Sequence, residues 1–173
     1  MDVWMISRKE LRNDLLEIFS ALDNIQYKYD WIISDHDMWY GTNCPEEVKK
    51  RWQWTGLLIS GKELTEHYSA GYVWFCVGAV LSAVPIGTRP EQVWDYLPGW
   101  EEDFKSPEYQ FQTPLTELEI FCYDGYAWAI ICKPELSELI QKKLPQAMLS
   151  EQWYAAHTEI RYDENGNKIT VIG

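Results

Sequence analysis

The feature that most restricts the fold is a pair of apolar, β-rich runs that meet at a tight turn. Residues 117–123 and 126–133 are rich in branched and aromatic side chains, and Asp124-Gly125 separates them. An Asp-Gly pair between two such runs is a strong signal for a β-hairpin. A two-residue turn would place Phe121 opposite Trp128, which is a favourable cross-strand pair. We therefore expect an antiparallel sheet that contains this hairpin.

A second apolar run predicts a strand at the centre of the sheet. Residues 72–84 lack the alternation of a strand with one wet face, and Gly71 and Pro85 bound them. A continuous apolar run of this kind is typical of a strand that is covered on both faces. Further strands are predicted at residues 27–33, 38–40, 57–59, 154–162 and 168–172.

Capping signals predict helices between these strands. Ser7 and Glu10 form a capping box at the start of residues 8–23, and Ser60 precedes a helical pattern over residues 61–69. The remaining helices are predicted at residues 46–53, 90–96 and 134–144.

The order of these elements predicts the fold class. Helices and hairpins alternate irregularly, and no linker or low-complexity tract divides residues 1–173. We therefore predict a single α+β domain. Its sheet is expected to be mostly antiparallel, with about five to seven strands and about four to five helices packed mainly on one side.

The charge of the chain restricts its partners. With 27 acidic and 15 basic residues the net charge is −12, and residues 91–119 contain eight acids and one lysine. A negative field of this size repels phosphate groups, so neither nucleic acid nor an anionic membrane is an expected partner. A basic protein is the expected partner, and solubility alone is the alternative explanation of the charge.

Residues 94–111, WDYLPGWEEDFKSPEYQF, combine six aromatic residues with five acids. We call them the acidic aromatic segment. Aromatic side chains supply contact area in interfaces, and charges direct the choice of partner. This pattern predicts a recognition surface, so the leading hypothesis is a non-enzymatic protein-binding module. The predicted partner-binding residues are Trp94, Trp100, Glu101, Glu102, Asp103, Phe104, Glu108 and Tyr109.

Two other functions remain as alternatives. Acids beside Trp100 would suit a carbohydrate or small-molecule hydrolase of unfamiliar type. A structural homo-oligomer would use the extra aromatic residues against a second copy of the chain. The common nucleotide, nucleophile and zinc motifs do not occur in the chain. No catalytic residue, cofactor site or metal ligand is therefore predicted, and Asp35-His36-Asp37 is expected to be a solvated turn.

The cysteines and the absence of an apolar leader predict a cytoplasmic protein. Cys76, Cys122 and Cys132 lie in apolar runs and are expected to be buried, so at most Cys44 is expected to react rapidly with a thiol reagent. Their spacing fits no metal motif, and free thiols fit a reducing compartment. The apolar runs are also too short to span a membrane.

Three stretches of the chain resemble a small bacterial family of single-domain cytosolic proteins, known only as a domain of unknown function. The stretches are ALDNIQYKYDWIISDHDMW, GLLISGKELTEHYSAGYVWFCVGAVLSAVP and LTELEIFCYDGYAWAIICKPELSELIQKKL, which together make up roughly half of the chain. The resemblance implies an α+β fold and a bacterial cytosolic setting, and it implies no catalytic residues. In size, acidity and tryptophan content the chain is also similar to immunity proteins that neutralise bacterial toxins.

Overall fold

A computed structural model of the chain describes residues 1–54, 56–96, 109–162, 165 and 167–172. Every strand pairing in it is antiparallel. The strands are β1 (Asp2–Ser7), β2 (Asp30–Ser34), β3 (Met38–Tyr40), β4 (Leu57–Ser60), β5 (Val73–Phe75), β6 (Gly78–Val84), β7 (Leu118–Tyr123), β8 (Ala127–Cys132), β9 (Met148–Leu149), β10 (Thr158–Tyr162) and β11 (Lys168–Ile172). The helices are α1 (Leu15–Ala21), α2 (Glu46–Trp52), α3 (Gly61–Ser69), α4 (Pro134–Lys143) and α5 (Ser150–His157).

Seven strands form the main sheet, in the order β4-β2-β6-β7-β8-β1-β9. Strand β6 lies between β2 and β7, as the continuous apolar run predicts. Two smaller sheets are formed by β3 with β5 and by β10 with β11. The α+β class and the mostly antiparallel sheet are confirmed. No helix in the part of the chain that the structure describes is both long and apolar enough to cross a membrane.

The two faces of the main sheet have different covers, because successive strand residues point to opposite sides. On the first face, α1, α2, α3 and α4 bury the larger core over side chains such as Trp31, Leu81 and Trp128. On the second face, α5 contributes Trp153, which packs in a cluster with Met5 and Phe121. Four of the five helices are therefore on one side of the sheet, and α5 is on the other.

The first prediction that the structure corrects is the N-terminal helix. Residues 2–7 form β1, which pairs with β8 on one side and β9 on the other. The Ser7 side chain caps no helix, and Arg8–Glu10 is only a short 3-10 turn. The α-helix begins at Leu15. Burial of the apolar strand between two partners outweighs a local capping signal worth about 1 kcal/mol.

The register of the β7–β8 hairpin differs from the predicted one by one residue. Tyr123 pairs with Ala127, and Cys122, not Phe121, lies opposite Trp128. A shift of one residue moves side chains to the other face, so Phe121 and Trp128 belong to different cores. The loop therefore has three residues, and Arg8 holds it, since its backbone N–H donates to the Tyr126 carbonyl oxygen and its guanidinium to that of Gly125.

The boundaries of several other elements also differ from the predicted ones. The run over residues 72–84 is divided into β5 and β6, and residues 25–28 form a 3-10 turn before β2 begins. Residues 90–96 form two 3-10 turns in place of one helix. Helix α5 occupies residues 150–157, so the strand that was predicted from residue 154 begins at 158. The helix over residues 61–69 is confirmed, with the Ser60 side chain accepting a hydrogen bond from the Glu63 backbone N–H at 3.2 Å.

Candidate functional site: an aromatic groove at the sheet edge

Strand β4 is the terminal strand of the main sheet. It pairs with β2, and no strand among the described residues pairs with its other side. The free side of such a strand presents backbone N–H and C=O groups that have no partner within the sheet. Among the described residues, this edge therefore keeps backbone groups that have no strand partner.

An apolar groove of about 380 Å³ runs along this edge. Leu57 and Leu58, which are consecutive in β4, both line it. Because consecutive strand residues point to opposite faces, a groove in contact with both lies at the edge of the strand and not over one face. Its other lining residues are Arg51, Trp54, Gly56, Pro90, Val93 and Trp94.

Trp54 and Trp94 are the exposed tryptophans that line the groove. Their relative exposures are 73% and 66%, whereas Trp31, Trp52 and Trp128 are fully buried in the core. Large aromatic side chains bury favourably and are enriched in binding surfaces. The free protein thus leaves two indole rings that line one apolar groove largely exposed to water.

Neighbouring buried residues explain how each tryptophan is positioned. Helix α2 is anchored by Trp52, whose indole N–H donates to Nδ1 of His67 at 2.8 Å, and the helix ends there. Trp54 follows two residues later, outside the core. Val93 is buried in a small cluster with Ile32, Val84 and the half-buried Leu58. Trp94, the next residue along the chain, is exposed.

Charged residues of both signs surround the groove. Arg51 is the basic residue in its lining, and its guanidinium forms an ion pair with Glu63 at 2.9 Å. Glu91 and Asp95 are exposed on the 3-10 turns that carry Trp94. Exposed Arg89 precedes the lining residue Pro90, and exposed Lys50 precedes Arg51, so the surroundings of the groove do not share the acidic sign of the net charge of −12.

Of the predicted partner-binding residues, the structure describes Trp94 and Tyr109. Trp94 is exposed, whereas Tyr109 is half-buried and packs against Phe121 with ring centroids 6.5 Å apart. The Tyr109 hydroxyl donates to Oε2 of Glu119 at 2.5 Å, so this residue ties the end of the acidic aromatic segment to the sheet. The other predicted residues lie outside the described part of the chain: Trp100, Glu101, Glu102, Asp103, Phe104 and Glu108.

Glu119 is a buried carboxyl on the second face of β7 that the sequence did not single out. Besides Tyr109, the Ser82 hydroxyl donates to its Oε1 at 3.3 Å, and the Gln112 backbone also hydrogen-bonds to it. Burial raises the pKa of Glu119 to about 7, although the three hydrogen bonds oppose the shift. The signal in the sequence was an acid inside the apolar run of β7, where a charged residue is rarely buried without a reason.

A second polar cluster, on the other face, is built around Asp14. Its carboxylate accepts hydrogen bonds from the Arg8 guanidinium, from the Tyr68 hydroxyl at 2.6 Å and from the Trp128 indole N–H at 2.6 Å. Asp14 has a φ of +52°, a backbone conformation that is unfavourable for a residue with a side chain. Four donors offset that strain, so the cluster joins β1, α3 and β8 as a structural unit.

The polar turn Asp35-His36-Asp37 lines a separate cavity of about 270 Å³ with Asp124. Within the described residues, no group of three or more His, Cys, Asp or Glu side chains is placed to hold a metal ion. The exposed carboxylates of Asp35 and Asp37 agree with the predicted solvated turn.

The cysteines agree only in part with the prediction. Cys122 and Cys132 are buried in β7 and β8, as expected. Cys76 is half-buried because it falls in the break between β5 and β6, and Cys44 is buried against the larger core. The prediction that Cys76 is buried is therefore wrong, and the structure gives no reason for Cys44 to be the more reactive thiol.

Comparison with known proteins gave no match: no protein-family model, curated protein or solved structure matches the chain.

Proposed function

We propose that the chain is a non-enzymatic protein-binding module that recognises a basic protein partner, in the manner of an immunity or inhibitor protein. The observation that supports this best is the pair of exposed indoles, Trp54 and Trp94, that line one apolar groove at the edge of the sheet. A small number of aromatic side chains in a central pocket typically provides most of the affinity of a protein interface.

The area of these two side chains suits a macromolecular partner. A partner that covers both rings would remove roughly 300 Å² of aromatic surface from water. At about 25 cal/mol per Å², this burial would stabilise a complex by roughly 7 kcal/mol before the entropy of association is subtracted. The remaining affinity would come from the surface around the groove, including the start of the acidic aromatic segment at Trp94.

The acidic charge would act on the rate of encounter. A chain with a net charge of −12 attracts a basic protein over distances comparable with the Debye length, about 8 Å at physiological salt. Exposed Glu91 and Asp95 place part of this charge beside the groove, where exposed Arg89 opposes it.

The alternative of a hydrolase would use an acid with a perturbed pKa, and Glu119 is the described residue of that kind. Its side chain is fully buried under Tyr109 and Ser82. General acid or base catalysis requires hydrogen-bond contact with the substrate. The exposed groove is therefore the better basis for a function than Glu119.

The proposed setting is the cytoplasm. All four cysteines are free thiols, and Cys122 and Cys132 are not partners in the β7–β8 register. Unpaired thiols are typical of a reducing compartment, so this setting accords with the structure of the strands.

Affinity capture tests the proposal. The tagged chain should retain a basic protein from a lysate of the organism that encodes it, identified by mass spectrometry. The double variant Trp54→Ala, Trp94→Ala should lose that protein while keeping its melting temperature, because both rings are exposed. Trp39→Ala is the matched control, since Trp39 is 70% exposed on β3. Equal capture by the double variant would contradict the proposal, and sedimentation of the purified chain as a dimer would favour the homo-oligomer.

A further inference from the structure

We infer that His67 is a pH-sensitive switch: its neutral side chain holds the end of α2 against α3, and protonation of the imidazole releases that end. A hydrogen bond and an ion pair join the two helices there. The indole N–H of Trp52, the last residue of α2, donates to Nδ1 of His67 on α3 at 2.8 Å. The guanidinium of Arg51 forms an ion pair with Glu63 at 2.9 Å.

The hydrogen bond from Trp52 fixes the protonation state of the imidazole. An indole N–H is a donor only, so Nδ1 of His67 presents a lone pair and the proton of the neutral ring is on Nε2. A doubly protonated imidazole has a donor at both nitrogens. Protonation at Nδ1 would place two N–H donors against each other across the 2.8 Å contact. This hydrogen bond and a charged His67 therefore exclude each other.

The burial of Trp52 makes the loss of this hydrogen bond costly. Its side chain is fully buried and packs against Phe75, with ring centroids 6.1 Å apart. A buried donor that loses its acceptor disfavours the folded arrangement by roughly tenfold or more in an equilibrium constant. That cost is relieved when the end of α2 moves away from the core and the indole N–H reaches water.

Burial and charged groups of both signs act on the imidazole. Burial has the largest effect, and it lowers the pKa of His67 from its ordinary value of 6.5. Glu63 and Glu66 on α3 favour the charged form, and Arg51 on α2 disfavours it. Tyr72 packs its ring against the imidazole, with centroids 6.2 Å apart. The stability that this contact provides is therefore complete above pH 6.5 and is lost as the pH falls below that value toward the lowered pKa.

The switch reaches the groove because α2 contributes to its lining. Arg51 lines the groove from the last turn of α2, and Trp54 and Gly56 follow the helix. Release of the end of α2 would move these residues relative to β4. The shape of the groove would then depend on pH, whatever ligand it binds.

Hydrogen exchange read by mass spectrometry tests the switch without a partner. From about pH 8 to about pH 5, the protection factors of the α2 amides, corrected for the chemical exchange rate at each pH, should fall by roughly tenfold or more. The internal control is α4, which contains no histidine and should change by less than roughly threefold. A local measurement is needed because Glu119, whose pKa is about 7, also changes global stability with pH.

His67→Asn separates the switch from a general effect of acid. The asparagine carbonyl oxygen can accept the Trp52 indole N–H and does not titrate, so α2 should stay protected at both pH values. His36→Asn is the matched control, because Nε2 of His36 lies 3.4 Å from the Trp54 carbonyl oxygen, just beyond the same helix. A charged imidazole can still donate to that oxygen, so the fall should persist in this variant.

A fall in protection in His67→Asn equal to that of the unmodified protein, or no fall in the unmodified protein, would overturn the inference. Nitrogen-15 spectra of histidine-labelled protein add a measurement that needs no variant. At about pH 8, the His67 ring should carry its proton on Nε2, and a proton on Nδ1 would contradict the switch. Capture of a basic partner from a lysate is a separate experiment, so failure of the switch and failure of the proposed function are distinguishable.

Discussion

Glu119 shows how strongly one residue can depend on its position in the sheet. Its carboxyl is fully buried on β7 and accepts hydrogen bonds from Tyr109 and Ser82. These donors are neutral, so they compensate only part of the free energy that is lost when a carboxylate leaves water. The carboxyl consequently holds a proton more tightly than it does in the unfolded chain, which is why burial raises its pKa to about 7.

The raised pKa makes stability depend on pH with a definite sign. Between the ordinary value of 4.5 and about 7, the folded state binds more protons at Glu119 than the unfolded state does. The free energy of unfolding should therefore fall by about 3 kcal/mol as pH rises through that window, and then level off. Glu119→Gln should remove this fall, as measured by urea denaturation across the window. Glu117→Gln is the control, because its pKa is lowered by hydrogen bonds from Lys133 and Tyr29. An unchanged pH profile in Glu119→Gln would contradict the assignment.

The thiols give a second prediction at this scale. Cys76 should react first with an aromatic disulfide reagent, because it is half-buried while the other three cysteines are buried. Burial raises the pKa of Cys122 to about 11 and that of Cys132 to about 12, so few of their thiols are ionised. Cys76→Ser should abolish the fast phase of the reaction in the native protein. Fast labelling of two or more thiols would show that Cys44, Cys122 and Cys132 are not all buried in the native protein.

At the scale of elements, those whose determinants lie within the element itself are predicted more accurately. Helix α3 has its determinants within the helix itself, at the Ser60 cap and in the spacing of Leu64 and Tyr68, and its bounds were predicted correctly. Strand β1 has its determinants in β8 and β9, which are distant in sequence. Pairing of that kind has no local signature, whereas the capping motif at Ser7 predicts a helix that does not form.

The same reasoning explains how much of the site was predictable. Trp94 was found because acids and aromatics cluster around it in the sequence. Trp54 belongs to the groove because α2 ends beside the edge strand β4, and Glu119 is buried because β7 lies in the middle of the sheet. Which strand is at the edge depends on the topology, and topology was the part that local patterns left open.

The β7–β8 loop gives a prediction at this scale. A Cβ added to Gly125, whose φ is +71°, would collide with the carbonyl oxygen of Cys76, whereas one added to Gly87, whose φ is +83°, meets open space. Gly87→Ala should therefore cost about 1 kcal/mol, from backbone strain alone. Gly125→Ala should cost roughly 2 kcal/mol more, because the loop and the residues before β6 must separate. Denaturant titration measures the free energy of unfolding of both variants. Equal losses of stability would show that the close approach of Gly125 to the Cys76 carbonyl does not affect stability.

For the whole molecule, the position of the acids matters as well as their number. The groove is at β4, while α4 packs near β1 and β8, on the other side of the sheet centre. Four strand spacings separate β4 from β8, roughly 19 Å, which exceeds the Debye length of about 8 Å at physiological salt. Acids on α4 should therefore contribute little to the field at the groove, although they contribute equally to the net charge.

Two double variants with the same change in net charge test this point. Glu91→Lys with Asp95→Lys reverses exposed acids beside the groove, and Glu135→Lys with Glu138→Lys reverses exposed acids on α4. At about 0.15 M salt, the first should slow association of the captured basic partner by roughly tenfold and reduce its dependence on salt, while dissociation changes little. The second should leave association nearly unchanged at this salt concentration and slow it only when the salt is diluted, because the Debye length then reaches about 30 Å at 0.01 M. Stopped-flow fluorescence measures both rates. Equal slowing by the two variants at physiological salt would mean that net charge alone attracts the partner and that the acids beside the groove have no directing role.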